Sequence, residues 1–444
     1  MYKILLLDIY PNKNYRISKD QNGGYGTAND YGDNFFLKLL SLYIKKTIDY
    51  PPLFAAHAIA ELHNNNFKVK YSRTFKEELE YDLYVIPSSI VCYESEREVI
   101  QKLHALKKNI FVIGPFASSK PELYTDYGAK VISGESEFYF KDFKLKNYND
   151  FNNLPQVIYH KHNYNLDDLS YPAWDIIFKK IKPVMKLLGK GSTIPINASR
   201  GCPYSCFYYC TYPKQQGRKL RLRNSDKIVK EMEYWYKKFG TKNFIFRDPV
   251  FSINKKHTFE LLEKLASSTI KFNICIETHL KNIDDEIIPL FKKSGIKLVY
   301  VGIESGDSDV LLDSKRTTIA FDEQIYKVKK LEENNVKVKS MYILGQPTDT
   351  LKTCLKTINY SKKILSTYAQ FSIFTPYPGT PVFEEYKDRI LTDKYEDFNQ
   401  WKLIFNHNNL NTSEVRNLLN KAYLSYYLNP KWLFFYLKRK LIDN

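Results

Sequence analysis

The chain has 444 residues, 43% of them hydrophobic, and carries 67 Lys and Arg against 49 Asp and Glu for a formal charge of +18. This length exceeds what one core usually supports, so two or more domains are expected, and the apolar content excludes a disordered chain. The positive charge is spread evenly, so composition singles out no nucleic-acid-binding tract.

Cys92, Cys275 and Cys354 lie singly, which excludes a disulfide framework and points to a reducing compartment. Met1–Asp8 turns acidic too soon for a signal peptide, and no apolar run approaches the ~18 residues that cross a bilayer. A cytoplasmic, monomeric protein is expected.

Lys3–Ile9 is a near-continuous apolar run, the pattern of a parallel strand buried on both faces. A long polar loop is expected from Tyr10 to Tyr50, and a loop of that length is more often functional than idle. Pro51-Pro52 then opens a helix over Leu53–Asn64. Further strands are predicted at Phe67–Tyr71, Leu83–Ile86, Ile110–Ile113 and Lys130–Ile132, with helices near Ser95–Lys107 and Pro121–Tyr127. Together these make a doubly wound, Rossmann-like α/β domain over 1–145, whose ligands belong at the carboxyl ends of the strands. Those ends read Pro87-Ser88-Ser89, Gly114-Pro115-Phe116 and Ser133-Gly134-Glu135, small enough for a bulky ligand to approach the backbone.

Proline-bearing polar segments mark 146–190 as a linker. Strand and helix then alternate in short steps, as in a parallel β/α barrel over 191–400. Six strands are predicted, at Thr193–Ala198, Asn243–Arg247, Phe272–Glu277, Lys297–Gly302, Lys337–Ile343 and Ala369–Phe374. A small helical segment closes the chain over 401–444. Its aromatics beside cations, Pro430 to Leu441, fit either a helix packed on the barrel or one resting on a membrane surface.

Between the first barrel strand and the basic run Lys219–Arg223 lies Ser199-Arg200-Gly201-Cys202-Pro203-Tyr204-Ser205-Cys206-Phe207-Tyr208-Tyr209-Cys210. Three thiolates so close suit an iron–sulfur cluster or zinc, and three leave a four-ligand site open at one corner. This stretch resembles the cobalamin-binding-domain branch of the radical S-adenosylmethionine (SAM) enzymes, which reads S-R-G-C-P-Y-x-C with cysteines spaced C-x3-C-x2-C. Here Phe207-Tyr208-Tyr209 adds one residue, giving C-x3-C-x3-C. A looped-out backbone would absorb it; a weakened or absent cluster, a zinc knuckle or a relic fold are the alternatives.

The resemblance implies a partial (β/α)6 TIM-type barrel. Cys202, Cys206 and Cys210 would ligate a [4Fe–4S] cluster, whose electron cleaves SAM to a 5′-deoxyadenosyl radical. It implies that Tyr209, Glu304, Ser305, Gly345 and Pro376 hold SAM, and that Ser88, Gly114, Gly134 and Glu135 border cobalamin. With no D-x-H-x-x-G motif, cobalamin would bind without a protein histidine on cobalt; His57, His63 and His104 all fall inside predicted helices. The implied reaction is cobalamin-dependent methylation of an unactivated carbon, with an electron donor of flavodoxin or ferredoxin type. The alternatives are a cobalamin-independent or non-methylating radical enzyme, and a non-catalytic binding protein. Arg247, Asp248, Glu277 and His279 are candidates for substrate contact or proton handling. Whether the substrate is a small molecule or a peptide is not legible.

Overall fold

The computed structural model describes residues 2–76, 80–160 and 164–443. After β1 (Lys3–Leu7) the chain makes a short hairpin, Ile17–Ser18 with Thr27–Ala28, and then α1 (Phe35–Thr47) and α2 (Leu53–Asn64). The stretch expected as one long loop therefore holds a 13-residue helix. It forms because Asn34 Oδ1 accepts from Phe36 N at 2.9 Å, capping a run rich in Leu and Lys.

Next come β2 (Lys68–Ser72), β3 (Leu83–Pro87), α3 (Tyr93–Ala105), β4 (Asn109–Ile113), β5 (Lys130–Ser133) and β6 (Val157–Tyr159). They form one parallel sheet in the order β2-β1-β3-β4-β5-β6. The order reverses between β1 and β3, and the carboxyl ends of those two strands make the crevice where such folds bind ligands.

The second sheet comprises β7 (Thr193–Ile196), β8 (Asn243–Phe246), β9 (Asn273–Thr278), β10 (Ile296–Glu304), β11 (Lys337–Leu344) and β12 (Tyr368–Ile373). Between them run α4 (Ser225–Phe239), α5 (Lys255–Ser267), α6 (Ile287–Ser294), α7 (Phe321–Glu333) and α8 (Leu351–Ile364). The strands pair in chain order and all parallel, and β7 does not pair with β12. The result is a six-stranded partial barrel with one open side.

The chain ends in α9 (Thr412–Tyr427) and α10 (Pro430–Asp443). An open barrel leaves the amides of its last strand unpaired, and α9 covers them. The Tyr423 hydroxyl accepts from Phe371 N at 3.0 Å and donates to Phe371 O at 2.8 Å, and Tyr427 does the same at Ala369, 3.0 and 2.7 Å. Residues four apart on a helix and two apart on a strand edge repeat at similar spacing, so two hydroxyls replace a missing neighbour strand.

Candidate active site

The cysteine loop leaves the carboxyl end of β7, where barrels carry their chemistry. Asp248, just past β8, is fully buried and accepts from Ala198 N at 3.0 Å, Ser199 N, and Ser199 Oγ at 2.7 Å. This carboxylate holds the start of the loop; it positions the cysteines and does not line the cavity beside them.

One helical turn absorbs the additional residue of the third cysteine spacing. Ser205–Tyr208 is a 3-10 turn, and Cys210 N donates to Cys206 O at 2.9 Å, an i to i−4 bond that sets the two side chains on one face. Their sulfhydryls share a hydrogen bond, which lowers the Cys206 thiol to about 6 and raises that of Cys210. Burial raises the Cys202 thiol to about 11, and the Cys206 sulfur lies near enough to add to that rise. Among the described residues no three His, Cys, Asp or Glu side chains close tightly enough to share one metal ion. An iron–sulfur cube presents a separate iron to each thiolate, so its ligands stand apart. Buried Cys202 and Cys206 with half-buried Cys210, the last lining a cavity, are an all-sulfur donor set that fits such a cube.

That cavity, about 160 Å³, lies against Cys210 and Tyr209. Glu277 and Glu304 reach it from β9 and β10, Arg247 from just past β8, and Lys339 from β11. Burial raises the Glu277 carboxyl to about 7 and lowers the Lys339 ammonium to about 8. Burial also raises Glu304, opposed by the Arg316 guanidinium 3.5 Å away. Glu304 adopts φ +66°, a left-handed conformation that side chains rarely take and that folds hold mainly at functional sites.

The other expected SAM contacts divide. Thr375 and Tyr377 line the cavity, whereas Pro376 between them does not. Ser305 is fully buried with its hydroxyl 3.1 Å from Thr357 Oγ1 and also lies outside it. So does Gly345, at φ +72°, packed against Val415. His279 faces away, its Nε2 against Thr317 O at 2.7 Å and its Nδ1 accepting from Lys281 N at 3.0 Å; burial lowers it to about 4. Arg247 ties down the N-terminal arm, bonding Asp20 Oδ2 at 2.9 Å and Asp20 O at 2.7 Å.

Several site residues had no sequence signal. Arg316 is buried between Glu304 and Cys206 and donates to Gly302 O at 2.8 Å, and Tyr300, Gln370, Gln21 and Asn22 complete the walls. The last two come from the arm that sequence patterning leaves as a loop. Period-two alternation on β10 and β12 is the pattern that could have marked Tyr300 and Gln370, while Arg316 lies on no strand.

At the first domain's strand ends, Gly114 at φ +110° brings Phe54 and Ser88 within 3.1 Å of where a Cβ would stand. Ser88 Oγ accepts from Ala117 N at 3.1 Å, and Gly134 N donates to Ser118 Oγ at 2.9 Å. Glu135 is turned to the barrel, paired with Arg200 at 2.6 Å and Arg221 at 2.7 Å. The crevice between β1 and β3 is filled by the arm: buried Lys19 donates to Pro87 O at 2.7 Å and pairs with Glu96 at 2.8 Å and Asp8 at 3.3 Å. Buried Tyr25 follows, its hydroxyl donating to Pro378 O at 2.8 Å. Lys19 and Tyr25 of the arm thus cover the strand ends of the first sheet. None of the three histidines approaches: His57 contacts Ser170 O at 3.1 Å, and His63 and His104 are exposed.

A six-stranded half-barrel with three cysteines in the loop at its mouth, joined to a doubly wound sheet, defines a two-domain α/β protein with a cysteine-bearing barrel. Residues 196–360 match the family described as Radical SAM superfamily. The chain is 26% identical to the uncharacterized methyltransferase PH0819 of Pyrococcus horikoshii, covering 63% of each. It is 27% identical to the bacteriochlorophyllide d C-12(1)-methyltransferase of Chlorobaculum tepidum, over 72% of this chain and 69% of that one. It thus spans just under two thirds of the first relative and slightly more of the second. The fold matches that of the radical SAM methyltransferase TsrM from Kitasatospora setae, with TM-score 0.62 and 15% identity over 87% of this chain and 76% of that one. It also matches the cobalamin-dependent SAM radical enzyme OxsB, with TM-score 0.65 and 12% identity over 94% and 66%. Residues 196–360 thus match the radical SAM superfamily, and the chain as a whole shares the two-domain fold of TsrM and OxsB.

No helix among the described residues is long and apolar enough to cross a membrane.

Proposed function

We propose that the protein is a radical SAM enzyme that methylates an unactivated carbon. The observation that carries this is the turn setting Cys206 beside Cys210 at the mouth of a charged cavity. Cys202, Cys206 and Cys210 would hold a [4Fe–4S] cluster, which when bound supplies the electron that splits SAM into methionine and a 5′-deoxyadenosyl radical.

The chain's own residues bind, orient and exclude. Glu304, fixed by Arg316, is the anionic group beside the cysteines and fits an amino group. Glu277, raised to about 7, can hold or release a proton near neutrality. Lys339 and Arg247 offer cations to a carboxylate or other anion. Tyr209, Tyr300 and Phe374 wall the space and keep water from a species that would attack whatever it met first. An external one-electron donor is part of this reading.

Cobalamin belongs to the reading because TsrM and OxsB, which share the fold, have been solved with it bound. Anaerobic reconstitution tests both parts. Four irons and four sulfides per chain and release of 5′-deoxyadenosine from SAM under reduction are expected. Corrinoid absorbance in purified protein separates the cobalamin-dependent form from an independent one, and absence of both iron and deoxyadenosine overturns the enzyme reading.

A further inference from the structure

Two helices far apart in sequence, α1 and α10, expose apolar faces and border one cavity. On α1, Phe35 and Phe36 are 68% and 64% exposed, with Leu39, Leu42 and Tyr43 beside them; on α10, Phe434 is 71% and Leu441 79% exposed, with Leu433 and Leu437. Isolated exposed apolar side chains are ordinary, but a cluster of this extent marks an interaction surface. The opposite faces are anchored. On α10, Trp432 packs on Tyr427 at 4.7 Å, its Nε1 donating to Thr367 O at 3.3 Å, and buried Arg439 pairs with Glu332.

Between these helices and α9 opens a cavity of about 400 Å³, within the ~300–1,000 Å³ range of small-ligand sites. Its wall is aromatic and aliphatic: Phe36, Leu40 and Tyr43 from α1, Tyr427 from α9, Trp432 and Tyr436 from α10. Gln21, Tyr300, Lys339 and Gln370 line both this cavity and the one beside Cys210, so no more than one layer of side chains separates the apolar space from the candidate active site.

The charges on the two helices are mostly positive. α1 carries Lys38, Lys45 and Lys46 and no acid, with Asp33 just before it, and α10 carries Lys431, Lys438, Arg439 and Lys440 against the single acid Asp443. A third groove, about 550 Å³, is bounded by Tyr43 and Tyr436 and contains Lys186, Lys292, Lys297 and Lys337, with no carboxylate among its described lining residues. Lysines near an anionic bilayer are attracted to it, and exposed Phe and Leu insert at the headgroup boundary.

We propose that the substrate is an amphiphile carried by an anionic membrane surface: α1 and α10 seat on the membrane, the substrate's apolar chain occupies the aromatic cavity, and its polar end lies by the cysteine loop. The surface suits this occupant because apolar faces, lysine groove and chain-sized cavity adjoin one another. The proposal rests on the radical SAM reading for the chemistry and is tested without it.

The full chain is sedimented with vesicles of phosphatidylglycerol or of phosphatidylcholine. Binding to the anionic vesicles is expected, at least tenfold weaker for the Phe35→Asp, Phe434→Asp, Leu437→Asp triple variant, whose positions are exposed and outside the core. Separately, a brominated fatty acid without vesicles should quench tryptophan fluorescence saturably, and Trp432→Phe should remove that component. Failure to bind phosphatidylglycerol, undiminished binding by the triple variant, or no saturable quenching overturns the proposal. So does a dimer in solution that the same triple variant dissociates, since a second copy then covers the faces. Neither readout needs cluster or SAM, so their failure with deoxyadenosine release intact removes the lipid assignment alone. Their success without deoxyadenosine removes the radical reading instead.

Discussion

Arg200, two residues before the first cysteine, reaches across the domain boundary and donates through Nη1 to Glu135 Oε1 at 2.6 Å and to Glu137. Both carboxylates are fully buried, and Arg221 holds the other oxygen of Glu135 at 2.7 Å. The loop that carries the cysteines is thereby tied to the carboxyl end of β5 in the first domain.

Breaking this pair should be costly. Arg200→Met leaves buried Glu137 without this guanidinium and Glu135 with Arg221 alone, and losing one partner of a buried ion pair costs about 3–5 kcal/mol. Urea denaturation of the variant should show a drop of that size, and reconstituted iron should fall with it because the loop loses its anchor.

Each of Cys202→Ala, Cys206→Ala and Cys210→Ala should abolish deoxyadenosine release and lower bound iron. Deleting Tyr208, which restores the shorter spacing of the family, should lower iron too. The turn from Cys206 to Cys210 is what brings those sulfurs together, and Tyr208 is pinned by its hydroxyl to Glu385 and by Lys315 over its ring at 4.2 Å. Iron analysis after reconstitution decides; a deletion variant with full iron would contradict the role of the turn.

Glu277 predicts a pH dependence. Its folded carboxyl is raised to about 7 by burial. An unfolded glutamate titrates near ~4.3. The group therefore contributes stability that is complete below ~4.3 and is lost as pH rises through about 7. Glu277→Gln removes this loss: its Tm should exceed wild type on the alkaline side of that range and match it on the acid side. Thermal melts across pH check the sign.

Gly302→Ala probes the strained glutamate. A Cβ there would stand 2.3 Å from Glu304 Oε1 and 2.8 Å from Arg316 Nη2, so both flexible ends must move while the backbone is free to stay. Disturbing a hydrogen bond to a charged group costs about 1.5–3 kcal/mol, and ~1.4 kcal/mol is tenfold in affinity. SAM binding by calorimetry should weaken about tenfold or more with the melting temperature little changed.

On the far side of the barrel, Tyr423→Phe leaves Phe371 N and O without their hydroxyl partner in a buried setting. About 1–3 kcal/mol of stability should be lost. Amide exchange at Phe371 should speed up relative to the central strands.

What the sequence by itself determined was what repeats locally or sits within one turn: the six alternating strands and helices, the buried strands of the first sheet, and the cysteine loop with its tight spacing. Apolar period and short spacing are properties of neighbours along the chain, so they are readable without a fold. Only the tertiary structure decided which charges meet. Arg316 beside Glu304, Lys339 facing Glu277, Glu135 turned from the strand end to Arg200, and Lys19 inside the crevice all pair groups with no periodic relation in sequence. The same holds for Ser305 and Gly345, which have the expected neighbours in sequence yet face Thr357 and Val415. Buried charges pair with whatever opposite charge the packing brings near, and that depends on how the strands and the arm close around one another.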